Sequence, residues 1–72
     1  MNETTYTLWD GREFMVDRGY DGTVTDVYGY ASDMREDDWE ICAWNVALNS
    51  VFVHASDVKA AWEFIEEEAI DM

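Results

Sequence analysis

Apolar and polar positions alternate from Thr4 to Leu8 and again from Arg12 to Asp17, with Trp9-Asp10-Gly11 between them. A period of two is the pattern of a half-buried strand, and an Asp-Gly step between two such runs marks a hairpin. A three-residue loop, with Gly11 in the left-handed region that glycine enters without strain, keeps Tyr6, Leu8, Phe14 and Val16 on one face. A two-residue loop would split these four between both faces. Asp21-Gly22 then opens a third strand, from Thr23 to about Tyr30, on which Tyr28 and Tyr30 share a face.

Beyond the polar stretch Ala31–Asp38 two readings compete. In the first, Trp39 to Asn45 and Ser50 to Ala55 form a second hairpin, since Val51, Phe52 and Val53 are strong strand formers. In the second, Ser32 caps a helix over about 33–48, with acids in its first turn, Met34, Ile41, Trp44 and Leu48 on one side, and Asn49 as the stop. The strand pattern is preferred. The last segment carries a different period: Val58, Ala61, Trp62, Ile65 and Ala69 recur at helical spacing, Ser56 suits the N-cap and Asp57 the first turn. The expected fold is α+β, an antiparallel sheet of four or five strands with this C-terminal helix packed across one face. No proline, linker or repeat interrupts it, so residues 1–72 read as a single domain.

Size and composition agree with a folded chain. Seventy-two residues lie near the lower limit at which a core alone sustains a fold, but apolar residues make up 49% of them, which argues against disorder. Eleven are aromatic, and these bury more area than any other side chains. Cys42 is the only cysteine, so no internal disulfide is available and a reducing cytosol is the expected compartment. The first six residues have neither a basic region nor an apolar run, and apolar stretches such as Ile41–Trp44 are short, so secretion and membrane spanning are not expected.

Charge changes the picture most. Seventeen Asp and Glu face four cations, Arg12, Arg18, Arg35 and Lys59, for a formal net charge of −13. Such a chain repels nucleic acid and anionic membranes, and scattered cations cannot build the basic patch of a nucleic-acid binder. Catalysis finds little to work with. His54 is the only histidine, and Cys42 beside it across a hairpin reads as a small buried hydrophobe rather than a nucleophile. The acidic stretches lack the alternating ligands of a calcium loop, one Cys and one His do not make a zinc site, and so short a chain has no walls for a sugar cleft. No enzyme, metal or cofactor is expected.

The acids themselves are the candidate functional feature. Glu63, Glu66, Glu67 and Asp71 stand three or four residues apart on the final helix, with Glu68 beside them, and so form a stripe. Successive steps place the carboxylates about 5–6 Å apart, much as phosphates are spaced along a nucleic-acid strand. Like charges at this spacing repel, and the helix C-terminus prefers cations. Breaking local rules without compensation is what functional sites do. Asp33, Glu36, Asp37, Asp38 and Glu40 make a second patch, beside Trp39, which reads as a core residue. Both are expected to contact a basic surface of a nucleic-acid-processing protein complex.

In charge, length and helix-on-sheet layout the chain resembles the small acidic inhibitors that phages and mobile elements encode against host defence: anti-CRISPR proteins and DNA-mimic anti-restriction proteins. The resemblance spans the whole chain and includes no shared motif, so no family residue is carried over. It implies a non-enzymatic inhibitor, acting in the host cytoplasm, that occupies a cationic nucleic-acid groove. An alternative reading makes the acidity an adaptation to a salt-rich cytoplasm in a small halophile or phage adaptor domain, with which a single lysine, Lys59, agrees.

Overall fold

The computed structural model describes residues 2–45 and 51–69. Strand β1 (Asn2–Thr7) pairs antiparallel with β2 (Glu13–Arg18), which pairs with β3 (Val24–Tyr30). A 3-10 turn at Ala31–Asp33 leads into a short helix, α1 (Glu36–Cys42). Two further strands follow, β4 (Trp44–Asn45) and β5 (Phe52–Ala55), and then helix α2 (Val58–Glu68). The sheet is five-stranded and antiparallel in the order β1-β2-β3-β5-β4, so the fold is the α+β architecture read from the sequence.

Local chemistry sets the first three strands. Leu8 N–H donates to Arg12 O at 2.8 Å and Gly11 N–H to Leu8 O at 2.9 Å, closing a three-residue loop with Gly11 at φ 93°. The next connection repeats the device. Gly19 N–H donates to Thr23 O and Gly22 N–H to Gly19 O around Tyr20-Asp21-Gly22, with Gly22 at φ 84°. In each loop the Asp carboxylate also accepts from a backbone N–H two residues on, Asp10 from Arg12 at 3.3 Å and Asp21 from Thr23 at 3.0 Å. An Asx turn of this kind stabilises the reversal that glycine makes sterically free. The hydrogen bond from Thr23 also holds the Asp21 carboxyl below its ordinary pKa.

Leu8, Phe14, Val16, Val27, Val53, Ala55 and Trp44 meet Cys42 from α1 and Ala61 and Ile65 from α2 in one core. Tyr6 packs against it, as its place beside Phe14 requires. Both helices therefore cover the same side of the sheet. Phe14 is the hub, stacked on Trp44 at 5.6 Å and edge-on to Phe64 at 6.2 Å. Its ring fits because Gly29 lies opposite it in the register: a Cβ on Gly29 would stand 2.9 Å from Phe14 Cδ1 and 2.6 Å from Met34 Cε. The Met34 tip can swing away, whereas the buried Phe14 ring cannot. Gly29→Ala is expected to lower stability by about 1–3 kcal/mol, read as a fall in the urea midpoint.

Three expectations need correction. Trp39 to Cys42, expected in a strand, are helical, and the second hairpin keeps only Trp44–Asn45 against Phe52–Ala55. The helix is also not the one expected to start at Ser32, because Ser32 lies in the 3-10 turn and Arg35 is the N-cap. Ala43 in the left-handed region at φ 50° ends it, and the expected stop, Asn49, lies with Leu48 outside the described residues. The α2 cap shifts by one position: Asp57, not Ser56, accepts the Ala60 N–H at 3.1 Å.

Candidate functional site

The helical side of the molecule carries most of the nominated acids. Glu63, Glu66 and Glu67 are exposed on α2, and Glu36, Asp37 and Glu40 are exposed on α1. The two helices pack against each other, so both groups share one side. Asp33 is half-buried in the 3-10 turn, Trp39 is half-buried against the core, and Asp71 lies outside the described residues. Glu68 turns toward the first hairpin, where its carboxylate accepts from Trp9 Nε1 at 2.6 Å.

Asp38 does not belong to this surface. It is 1% exposed, accepts from the Arg35 backbone N–H at 2.9 Å and is bound by the Arg12 guanidinium. Arg12 also reaches Asp10 through Nε at 2.8 Å, and Arg35 approaches Asp10 at 3.3 Å. Two carboxylates and two guanidiniums thus close a network that ties the first hairpin to the start of α1. Burial works to raise the Asp10 pKa, but hydrogen bonds from Arg12 and the charges of both arginines hold it below the ordinary 3.8. A depressed carboxyl stabilises the fold above its unfolded pKa, and that contribution disappears as pH falls below it.

Arg18 is occupied too. Its guanidinium donates to Tyr6 Oη at 2.8 Å and lies over the Trp62 ring at 5.0 Å, pinning α2 to the sheet. All three arginines therefore make contacts within the chain, Arg12 and Arg18 partly buried and Arg35 with its side chain 61% exposed. Among the described residues no arginine or lysine pairs with Glu36, Asp37, Glu40, Glu63, Glu66 or Glu67. The two helices differ in one respect. Acids in the first turn of α1 suit the positive end of the helix dipole, whereas Glu66 and Glu67 near the end of α2 oppose it. The α2 stripe stands against both its dipole and its neighbours, and on α1 Glu40 alone, in the last turn and four residues from Glu36, does the same.

The pairing of Cys42 with His54 is ruled out by geometry. Cys42 lies in the core, and His54 projects from the opposite side of the sheet, between buried Val53 and Ala55. Burial first, and the negative charge of Asp38 after it, push the Cys42 thiol up to about 11. Folding thus favours the neutral thiol: its stabilisation is complete below the unfolded value of 9.0 and is lost as pH rises toward 11. The melting temperature of the native chain should therefore fall relative to that of Cys42→Ala across this window, and thiol reagents should label Cys42 only on unfolding. Equal pH profiles for the two proteins would contradict this. Among the described residues no group of three or more His, Cys, Asp or Glu is arranged to hold a metal ion.

One arrangement escaped the reading of the sequence. Glu3 stands opposite Asp17, and Asp17 opposite Asp26, so three carboxylates form a row across β1, β2 and β3 on the face away from the helices. Like charges directly opposite one another destabilise a sheet. The two Asp-Gly loops carry the signal that would have found it, because loop length sets the register of both hairpins. No protein-family model, curated protein or solved structure matches this chain.

Proposed function

We propose that the chain is a non-enzymatic inhibitor that presents acidic surface to the basic groove of a nucleic-acid-processing complex, in the manner of anti-CRISPR or DNA-mimic anti-restriction proteins. The observation that carries this reading is the distribution of charge. Arg12 and Arg18 are engaged in holding the fold, while the α2 acids stand exposed and uncompensated where helix electrostatics disfavour them. Such a surface is complementary to the Arg and Lys that grip phosphates, and complementarity of this kind makes capture fast and sensitive to salt. The proposed setting is the cytoplasm of a host cell. No helix among the described residues is long and apolar enough to cross a membrane.

The test is capture from a bacterial lysate on the immobilised chain. Recovery of a nucleic-acid-binding complex that short duplex DNA releases supports the proposal. Retention of every captured protein in the presence of DNA contradicts it.

A further inference from the structure

The face of the sheet opposite the helices differs in chemistry from the helical side. Beside the row Glu3, Asp17 and Asp26 lies a row of cross-strand neighbours, Thr5, Met15, Tyr28 and His54, and beyond it Tyr30 faces Phe52. The rings are in contact: Tyr28 stacks on His54 at 5.2 Å and meets Phe52 edge-on at 5.7 Å, and Tyr30 lies 5.2 Å from Phe52. They are also open to solvent, Phe52 at 40%, Tyr30 at 38% and the His54 side chain at 56%. The acids are tied into this patch. Tyr28 Oη donates to Glu3, and His54 Nδ1 lies 3.1 Å from Asp26 Oδ2. Along β3 the order on this face is Asp26, Tyr28, Tyr30, so the carboxylate row stands one step of two residues, about 6.6–6.8 Å, from the half-buried Tyr28 and its neighbour His54, with the exposed Tyr30 and Phe52 one step further on.

We propose that this face docks an arginine-bearing protein segment of the cationic partner, each guanidinium lying on a ring while it pairs with a neighbouring carboxylate. The inference rests on the acidic-surface reading and names the part of the surface that makes specific contact. Charge selects the occupant. A second copy would bring −13 against −13, and phosphates would be repelled by the acidic row. Lysine would satisfy the carboxylates but presents a strongly hydrated point charge. Arginine alone combines a planar stacking surface with two-pronged pairing to a carboxylate. The helical side has a single exposed ring beside its acids, Trp9 against Glu68, and no such cluster, so it distinguishes less between the two.

The experiment compares labelled nona-arginine and nona-lysine peptides by fluorescence anisotropy at about 0.1 M salt, where screening acts over about 10 Å. Nona-arginine should bind about tenfold tighter. The preference should vanish in Tyr30→Ser/Phe52→Ser while nona-lysine affinity stays, and Asp17→Asn/Asp26→Asn, which keeps every ring, should weaken nona-arginine selectively. Lys replacements of Glu63, Glu66 and Glu67 should weaken both peptides in parallel. Amide shifts in the unaltered protein give a reading independent of any variant's folding: nona-arginine should move Asp26, Tyr28, Tyr30, Phe52 and His54 most. Equal affinity for the two peptides, or shifts confined to α2, overturns the docking face while leaving the acidic surface intact. Binding of neither peptide overturns both.

Discussion

Replacing Asp38 with leucine is expected to lower stability by up to about 3–5 kcal/mol, the cost of removing one member of a buried ion pair. For a chain of 72 residues with about 0.05–0.15 kcal/mol per residue, that is much of the whole. The cause is the position of Arg12, whose side chain is 12% exposed and whose guanidinium would then rely on Asp10 alone. The Arg35 backbone N–H at the start of α1 would lose its acceptor as well. Asp38→Asn should cost less, because an amide oxygen can still receive that N–H while the charge pairing is lost. The double variant Arg12→Met/Asp38→Leu should recover most of the loss, since buried pairs replaced together by apolar residues of similar size are often tolerated. Urea unfolding of the three variants gives the comparison. A fall of less than about 1 kcal/mol in Asp38→Leu, within the range of surface ion pairs, would show that the network is not buried in solution.

The second large effect is on binding and runs opposite to stability. Reversing Glu63, Glu66 and Glu67 to lysine should weaken capture of the basic partner at least tenfold, about 1.4 kcal/mol. The same change removes repulsion at Glu63–Glu67 and places cations near the negative end of the helix, gains of about 0.3–1 kcal/mol each at exposed positions. The reversed protein should melt higher than the native one. A loss of binding accompanied by a lower melting temperature would mean that the acids support the fold and that binding fails for that reason. A higher melting temperature with undiminished capture would remove the stripe from the contact surface.

The division between what the sequence revealed and what it concealed follows the range of the interactions. The first hairpin was legible because Trp9-Asp10-Gly11 specifies its own loop, and α2 because Ala61 and Ile65 bury the stripe that their period marks. Ser56 and Asp57 are both good caps, and only the backbone at Asp57 decides between them. Helix α1 stood only as the second reading, over about 33–48, because its seven residues give too few turns for a period to show. What closes its first turn, moreover, is Asp38 bound to Arg12, 26 residues away. Asp38 looked like one more surface acid for the same reason. Tyr28 and Tyr30 were placed on one face correctly, but that Phe52 and His54 join them depends on β3 pairing with β5, a connection that no local pattern announces. The exposure of Glu63, Glu66 and Glu67 was readable from helical spacing alone.

The central claim is that acidic surface competes with nucleic acid for a basic groove, and equilibrium competition with the purified captured partner tests it most directly. A labelled duplex bound to that partner should be released by the chain in a single saturating step, with the competing affinity falling steeply as KCl rises. The chain itself should stay folded at ordinary ionic strength. Formation of a ternary complex with the duplex still bound would contradict the claim. So would a chain that folds only in molar salt, since its acidity would then serve salt tolerance rather than recognition.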